Sequence, residues 1–247
     1  MQLKKSISAL IVIIIICSKF LQSDGLDLSD YPETEIGHSI VPVISLISVI
    51  QEYPMSFMFR PSKPSVSVGY KAAPFSISLG ENSIFSGKNI SWGFGSLVGG
   101  VSITQNLSIG CQMISTDWGN DNLHSQGLSL NTTWGQGDRF GGFGLAVNHL
   151  YGPDDFHVKD INVTLANFFR YGDWRLAVGY SGHFARCHIH IDDNDDENEN
   201  YEKSLNINTH NFRSGIYRIM SDHLRVGMEL DVSVSIIVLS FSILSNF

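Results

Sequence analysis

An all-β chain closed as an antiparallel up-and-down transmembrane β-barrel of about ten strands, in a range of eight to twelve, is the fold this sequence predicts. Three observations carry the prediction. From Ser65 onward apolar residues alternate with polar or small ones at period 2, the pattern of strands with one apolar face. The polar connections between those strands alternate between short and long. Aromatic residues gather beside the short ones. Composition agrees: 43% hydrophobic, 11% aromatic and only 16% charged residues, with 23 glycines, against roughly 25% charged in soluble proteins.

The chain divides into three parts. Lys4 and Lys5 precede the apolar run Ala9–Cys17, which reads as the basic and hydrophobic regions of a Sec-type signal peptide over residues 1–23. The run is far shorter than the roughly 20 residues of a spanning helix. Cleavage is expected after Ser23, although Leu21 is large for its position. Cys17 follows Ile16 rather than a small residue, which disfavours lipoprotein processing; an uncleaved anchor is the bland alternative. Residues 24–64 are an N-terminal segment of uncertain structure, mixing Asp27, Asp30, Glu33 and Glu35 with an apolar stretch, Ile40 to Ile50, that has no clean period. Residues 65–247 are the barrel domain.

Within that domain Val66–Ala72 and Phe75–Leu79 read as strands separated by a phase break at Ala73-Pro74. Leu107, Ile109, Cys111 and Met113 alternate with Ser108, Gly110 and Gln112. Leu128 to Trp134, Phe143 to Val147, Ile161 to Leu165, Trp174 to Tyr180 and Leu224 to Val234 repeat the pattern. Cys111 and Cys187 fall on opposite faces, so no disulfide is expected even in an oxidising compartment. Short turns are expected at Gln105-Asn106, Gly135–Asp138, Tyr171–Asp173 and Ser221-Asp222. Longer loops are expected at Thr116–Ser125, Gly152–Lys159 and Arg186–Lys203. Short turns at one end and long loops at the other are the habit of membrane barrels. Trp134, Phe140, Tyr171 and Trp174 flank the short turns and read as an interfacial girdle. Arg170, Arg175, Arg225, Glu229 and Asp231 lie on the polar strand faces and read as a lumen charge network, either closing a narrow interior or lining a pore.

The last residues, Leu239, Phe241, Ile243 and Phe247, resemble the C-terminal assembly signal of bacterial outer-membrane β-barrel proteins, although Ser245 stands where an apolar residue is usual. With the leader and the strands, the likeness reaches the superclass and no specific family. It implies the bacterial outer membrane as location, with outer-membrane lipid and the barrel-assembly machinery as partners. One difficulty opposes it. Leu224–Val234 follows a short turn and should run outward, so the chain needs a returning strand. Leu239–Phe247 can supply one through a turn near Ser235–Val238, yet no Gly, Pro, Asn or Asp lies between Val232 and Ser245. The alternatives are one long bulged strand or a chain lacking its natural end.

Function is less legible. The net charge of −8 argues against nucleic acid, which needs clustered Lys and Arg. Much of that charge is local, with six acids among residues 192–199. His188, His190 and Asp192 are candidate metal ligands, but the set is incomplete and the acidic run lacks the glycine and final glutamate of a calcium loop. The expectation is a solvated loop, without metal or cofactor. No nucleophile elbow occurs; His183 and His149 have no mark separating them from ordinary strand residues, so no catalytic residue is assigned. The glycines of 93–100 and 141–144 ease strand packing rather than hold phosphate. A structural, adhesive or partner-binding role through the outer loops, with the partner unspecified, is the leading expectation. A small channel or transporter for hydrophilic or amphipathic solutes is the second. A secreted soluble β-sandwich or barrel binding module is the third.

Overall fold

The computed structural model describes residues 33–59, 65–79, 95–118, 121–151, 156–192, 200–221 and 223–247. The leader read over residues 1–23 lies outside them, as does most of the acidic run. Helix α1 (Glu33–Ile50) and a 3-10 turn (Met55–Met58) come first. Ten strands follow: β1 (Ser65–Ser78), β2 (Gly95–Ser102), β3 (Leu107–Trp118), β4 (Asp121–Gln136), β5 (Arg139–Tyr151), β6 (Phe156–Tyr171), β7 (Trp174–Asp192), β8 (Asn200–Ser221), β9 (Leu224–Val232) and β10 (Ile236–Asn246). Each pairs antiparallel with its sequence neighbour, and β1 pairs with β10, so a single sheet closes on itself. A two-sheet sandwich is thereby ruled out. From Tyr70, cross-strand partners reach Lys159 through β2–β5 and Tyr171 through β10–β7. That is a stagger of 12 residues on β6, the shear that tilts strands in a closed barrel.

The faces are inverted relative to a water-soluble barrel. Val68, Leu97, Ile109, Leu128, Val147 and Leu165 are exposed on the outside, whereas Ser67, Gln112, Asn131, Asn148, Asn162 and Thr164 are buried within. A wall so continuously apolar would be costly in water, where monomers seldom expose more than a few hundred Å² of contiguous apolar surface. It is the wall a bilayer requires. Cys111 points outward and Cys187 inward, both free.

The difficult C-terminal turn is built by serines. β10 is the returning strand, and Ser233 takes the part usually played by Asn or Asp. Its Oγ accepts from the N–H groups of Ser235 (3.2 Å) and Ile236 (3.0 Å), while its own N–H donates to the Ile236 carbonyl (2.9 Å). Hydroxyl groups close turns in this way, which is why they pass as strand residues in the sequence. The short turns carry the residues expected of them. Gln136 pairs with Arg139 and Tyr171 with Trp174 around the two-residue Gly-Asp turns at 137–138 and 172–173, and Gly137 and Gly172 have φ of 73° and 57°.

The connections expected to be long are mostly strand. β3 reaches Trp118, which pairs with Asp121, so 116–125 is a hairpin tip rather than a loop. β6 begins at Phe156, and β7 and β8 run 19 and 22 residues. A strand needs only about 9–11 residues to cross the hydrocarbon core. Beyond it the outward face meets water instead of lipid, as at Glu202, Ser204 and Asn206 of β8, and the resulting polar composition mimics a loop. The two ends of the barrel therefore differ in strand projection as well as in the number of residues between strands.

Residues 40–59, of uncertain structure from sequence, fill the lumen. Ile40, Val43, Ile44, Leu46 and Ile47 are buried against Ile114, Leu123, Leu150, Val158, Ile189 and Ile236 at the long-strand end. A helix enclosed on every side has no polar face, so it shows no amphipathic period. Pro42 lies inside it and removes one intrahelical donor. Confinement rather than intrinsic propensity holds such a helix.

Candidate functional site: a lumen plug centred on Glu52

Below α1 the chain passes through a polar middle layer and then an aromatic floor. Where the helix ends, its last carbonyls need donors. Lys71 of β1, fully buried, supplies them: its Nζ donates to the carbonyls of Val49 (2.9 Å) and Glu52 (3.0 Å). A cation at this position also suits the negative end of the helix dipole.

The Glu52 side chain is the hub of the layer. It is fully buried and makes ion pairs with Arg213 of β8 and His183 of β7. Ser181 Oγ donates to its Oε1 at 2.5 Å, with the amides of Asn162 and Asn211 at 3.3 and 3.4 Å. Arg213 in turn grips Glu229 (2.7 Å) and Asp231 (2.8 Å) of β9, three carboxylates around one forked cation. Glu229 also accepts from Tyr217 Oη (2.6 Å) and from the Met55 N–H (2.9 Å), extending the network to the 3-10 turn. On the other side His183 Nδ1 meets Asp160 (3.1 Å), to which Asn148 donates at 3.3 Å. Gln51 contributes its own links, its amide to Ser125 and its carbonyl to Gln112. Charges so buried persist only when paired and hydrogen-bonded, and here wall and plug pair each other.

At the short-turn end the plug is apolar. Phe59 meets Phe168 and Tyr217 edge-on at 5.4 and 4.9 Å, and Phe140 stacks on Phe168 at 4.7 Å. Tyr217 lies flat because its cross-strand partner is Gly227; a Cβ there would overlap the Tyr217 ring. Gly227→Val is expected to lever Tyr217 away from Glu229 and lower the thermal midpoint of the refolded barrel, at a cost of roughly 1–3 kcal/mol. Gly227→Ala should act in the same direction with a smaller effect, both read from the heat-dependent shift in gel mobility.

Of the lumen charges expected from sequence, Glu229 and Asp231 meet in this network. Arg225 joins the plug separately, donating to the Ser56 carbonyl (3.1 Å) with its guanidinium 5.9 Å from the Phe59 ring centroid. Arg175 instead closes its own turn, donating to the carbonyls of Gly172 (2.5 Å) and Trp174 (2.8 Å). Arg170 is exposed at the rim. Trp134, Tyr171 and Trp174 are exposed beside the short turns, whereas Phe140 points into the lumen. Phe241 and Phe247 face outward on β10 and just after it. His188 bonds Ser204 (2.9 Å) and Glu202 (3.2 Å) on the neighbouring strand. His190 lies two residues further on the same face. Among the described residues no group of three His, Cys, Asp or Glu side chains is arranged to hold a metal ion.

Glu52, Lys71, Asp160, His183 and Arg213 were not picked out by the sequence as a group. Arg213 had a usable signal, lying mid-strand between outward Phe212 and Ser214 with Asn211 and Gly215 in its own phase. Glu52 had none, being a lone acid after an apolar stretch.

No protein-family model matches the chain, and no curated protein matches it in sequence. Among solved structures it is similar to the translocator domain of the autotransporter NalP from Neisseria meningitidis (TM-score 0.44, 10% identity, 87% of this chain and 100% of that one). It is also similar to the β domain of the Bordetella autotransporter BrkA (TM-score 0.40, 8% identity, 74% and 98%). A loop-deletion form of OmpT, an outer membrane protein of Vibrio cholerae, matches over 62% of this chain (TM-score 0.33, 11% identity), and the chain spans 53% of that protein's length. Likenesses this distant concern the barrel fold alone and say nothing of activity.

Proposed function

We propose that this chain is a bacterial outer-membrane barrel closed at rest by its own N-terminal segment, with a structural or adhesive role at its long-strand end. The observation that carries this reading is the filled lumen: residues 40–59 are buried inside a wall whose outer face is apolar. The strands β7 and β8, longer than a bilayer needs, supply the projecting surface for partner contacts. Outer-membrane lipid would surround the barrel, and the assembly machinery would read the outward Phe241 and the terminal Phe247.

Asp160, His183, Ser181 and Glu52 together carry groups familiar from acid–base chemistry. All four are buried, and Glu52 of the plug already engages Ser181 and His183, whose other nitrogen meets Asp160, which favours anchorage over catalysis. A gated channel is the second reading, favoured by one observation: most polar links between plug and wall pass through Glu52 or the backbone beside it.

Cell fractionation followed by planar-bilayer recording of the purified full chain tests the proposal. Recovery with the outer membrane and electrically silent insertion are expected. Recovery in the soluble periplasm, or a stable open conductance from the unaltered chain, would overturn it.

A further inference from the structure

Resting on that outer-membrane reading, we infer that the outer wall of β4–β7 binds a phosphate-bearing, multiply acylated lipid of the leaflet at the long-strand end. Cross-strand register puts Gln126, His149, Lys159 and Arg186 in one row on the outer face. Lys159 and Arg186 are directly opposed, an arrangement of like charges that destabilises a sheet unless an anion lies between them. Both are exposed, and neither makes an ion pair with a described residue. One pleat repeat nearer the short turns, the same strands carry Leu128, Val147, Ile161 and Phe184, again directly paired and 48–59% exposed. A groove of about 780 Å³ is lined by both rows.

Height fixes where this groove lies in a bilayer. Lys159 stands 12 residues from Tyr171 on β6, and Arg186 stands 12 from Trp174 on β7, the two ends of one short turn. At about 3.3 Å per residue and a tilt near 40° that is roughly 30 Å, the thickness of the hydrocarbon core. The cations therefore sit at the headgroup level of the far leaflet, with the apolar row just inside it. Phosphate oxygens suit the Arg186 fork and the Lys159 ammonium, and acyl chains suit Val147, Ile161 and Phe184. A free anion would use only the upper row and leave the apolar groove bare, so the ligand is a lipid.

The test uses the full chain in detergent, incubated with bisphosphorylated lipid A and weighed intact by native mass spectrometry. One retained lipid is expected. Roughly tenfold weaker retention is expected for Lys159→Gln/Arg186→Gln, as loss of two charge-assisted contacts requires, and for lipid A stripped of its phosphates. Both substitutions are on the exposed outer face, and an unchanged heat-dependent gel shift confirms an intact barrel. Equal retention by the double variant would overturn the site, as would displacement by millimolar inorganic phosphate or no retention by the unaltered chain. A protein that fractionates with the outer membrane yet retains no lipid would overturn this site and leave the barrel's location standing.

Discussion

Replacing Arg213 with Met is expected to abolish the mature barrel at neutral pH. Arg213 is fully buried and pairs with Glu52, Glu229 and Asp231. Without it three carboxylates share a dry layer with Lys71 and His183 as the nearest cations. Removing one partner of a buried ion pair costs about 3–5 kcal/mol, and here a single substitution strands three partners. A domain of marginal stability does not survive a loss of that size. The checking measurement is the fraction of protein that shows a heat-dependent gel shift after refolding in detergent. Arg213→Lys should give an intermediate result, because an ammonium keeps the charge but cannot fork across three acceptors. Adding Asp231→Leu to Arg213→Met should recover part of the folded fraction by removing one stranded charge. An Arg213→Met protein that refolds and melts like the unaltered chain would show that the ion cluster does not hold the lumen together.

Glu52→Ala is expected to act differently, loosening the plug while leaving the wall closed. Arg213 keeps Glu229 and Asp231, and His183 keeps Asp160, so no wall charge is stranded. What is lost is the side chain through which the plug grips β7 and β8. At about 3 kcal/mol, the upper end for lost hydrogen bonds to a charged group, the balance between seated and released plug shifts by roughly a hundredfold. Brief conductance events should then appear in planar bilayers where the unaltered chain is silent, with the heat-dependent gel shift retained. Silent bilayers from a folded Glu52→Ala protein would mean that packing of Ile40–Ile50 and Phe59 alone seats the plug.

Much of the wall was legible because the bilayer imposes period 2 on every strand that crosses it. The faces of Trp174–Tyr180 and of Leu107–Met113 are as the alternation predicts. Legibility failed wherever that constraint lapses. Past the bilayer the outward faces of β7 and β8 meet water and turn polar, and the strands read as loops. At Ser233–Ser235 the turn is made by hydroxyl groups that also suit strands. Inside the lumen α1 is surrounded by protein, so its apolar residues carry no period and Ile40–Ile50 could not be assigned. The hub of the site was hidden for a related reason. Glu229 and Asp231 stood out as charges on a patterned strand, but their shared partner Arg213 is 16 residues from the nearer of them in sequence, and Glu52 comes from the unpatterned segment. Pairing across a barrel wall is a property of register, which hydrophobic pattern alone specifies only to within a shift of two.

Hydrogen exchange along the plug shows whether the lumen is filled. With the full chain in bilayer nanodiscs at neutral pH, the amides of residues 43–50 should exchange as slowly as those in the middle of β6 and β7. Helix hydrogen bonds shielded by a closed wall open only when the plug leaves. Glu52→Ala should speed exchange in 43–50 and leave the strand amides unchanged. Rapid exchange of 43–50 in the unaltered chain, beside protected strands, would show an open lumen and contradict the plugged barrel.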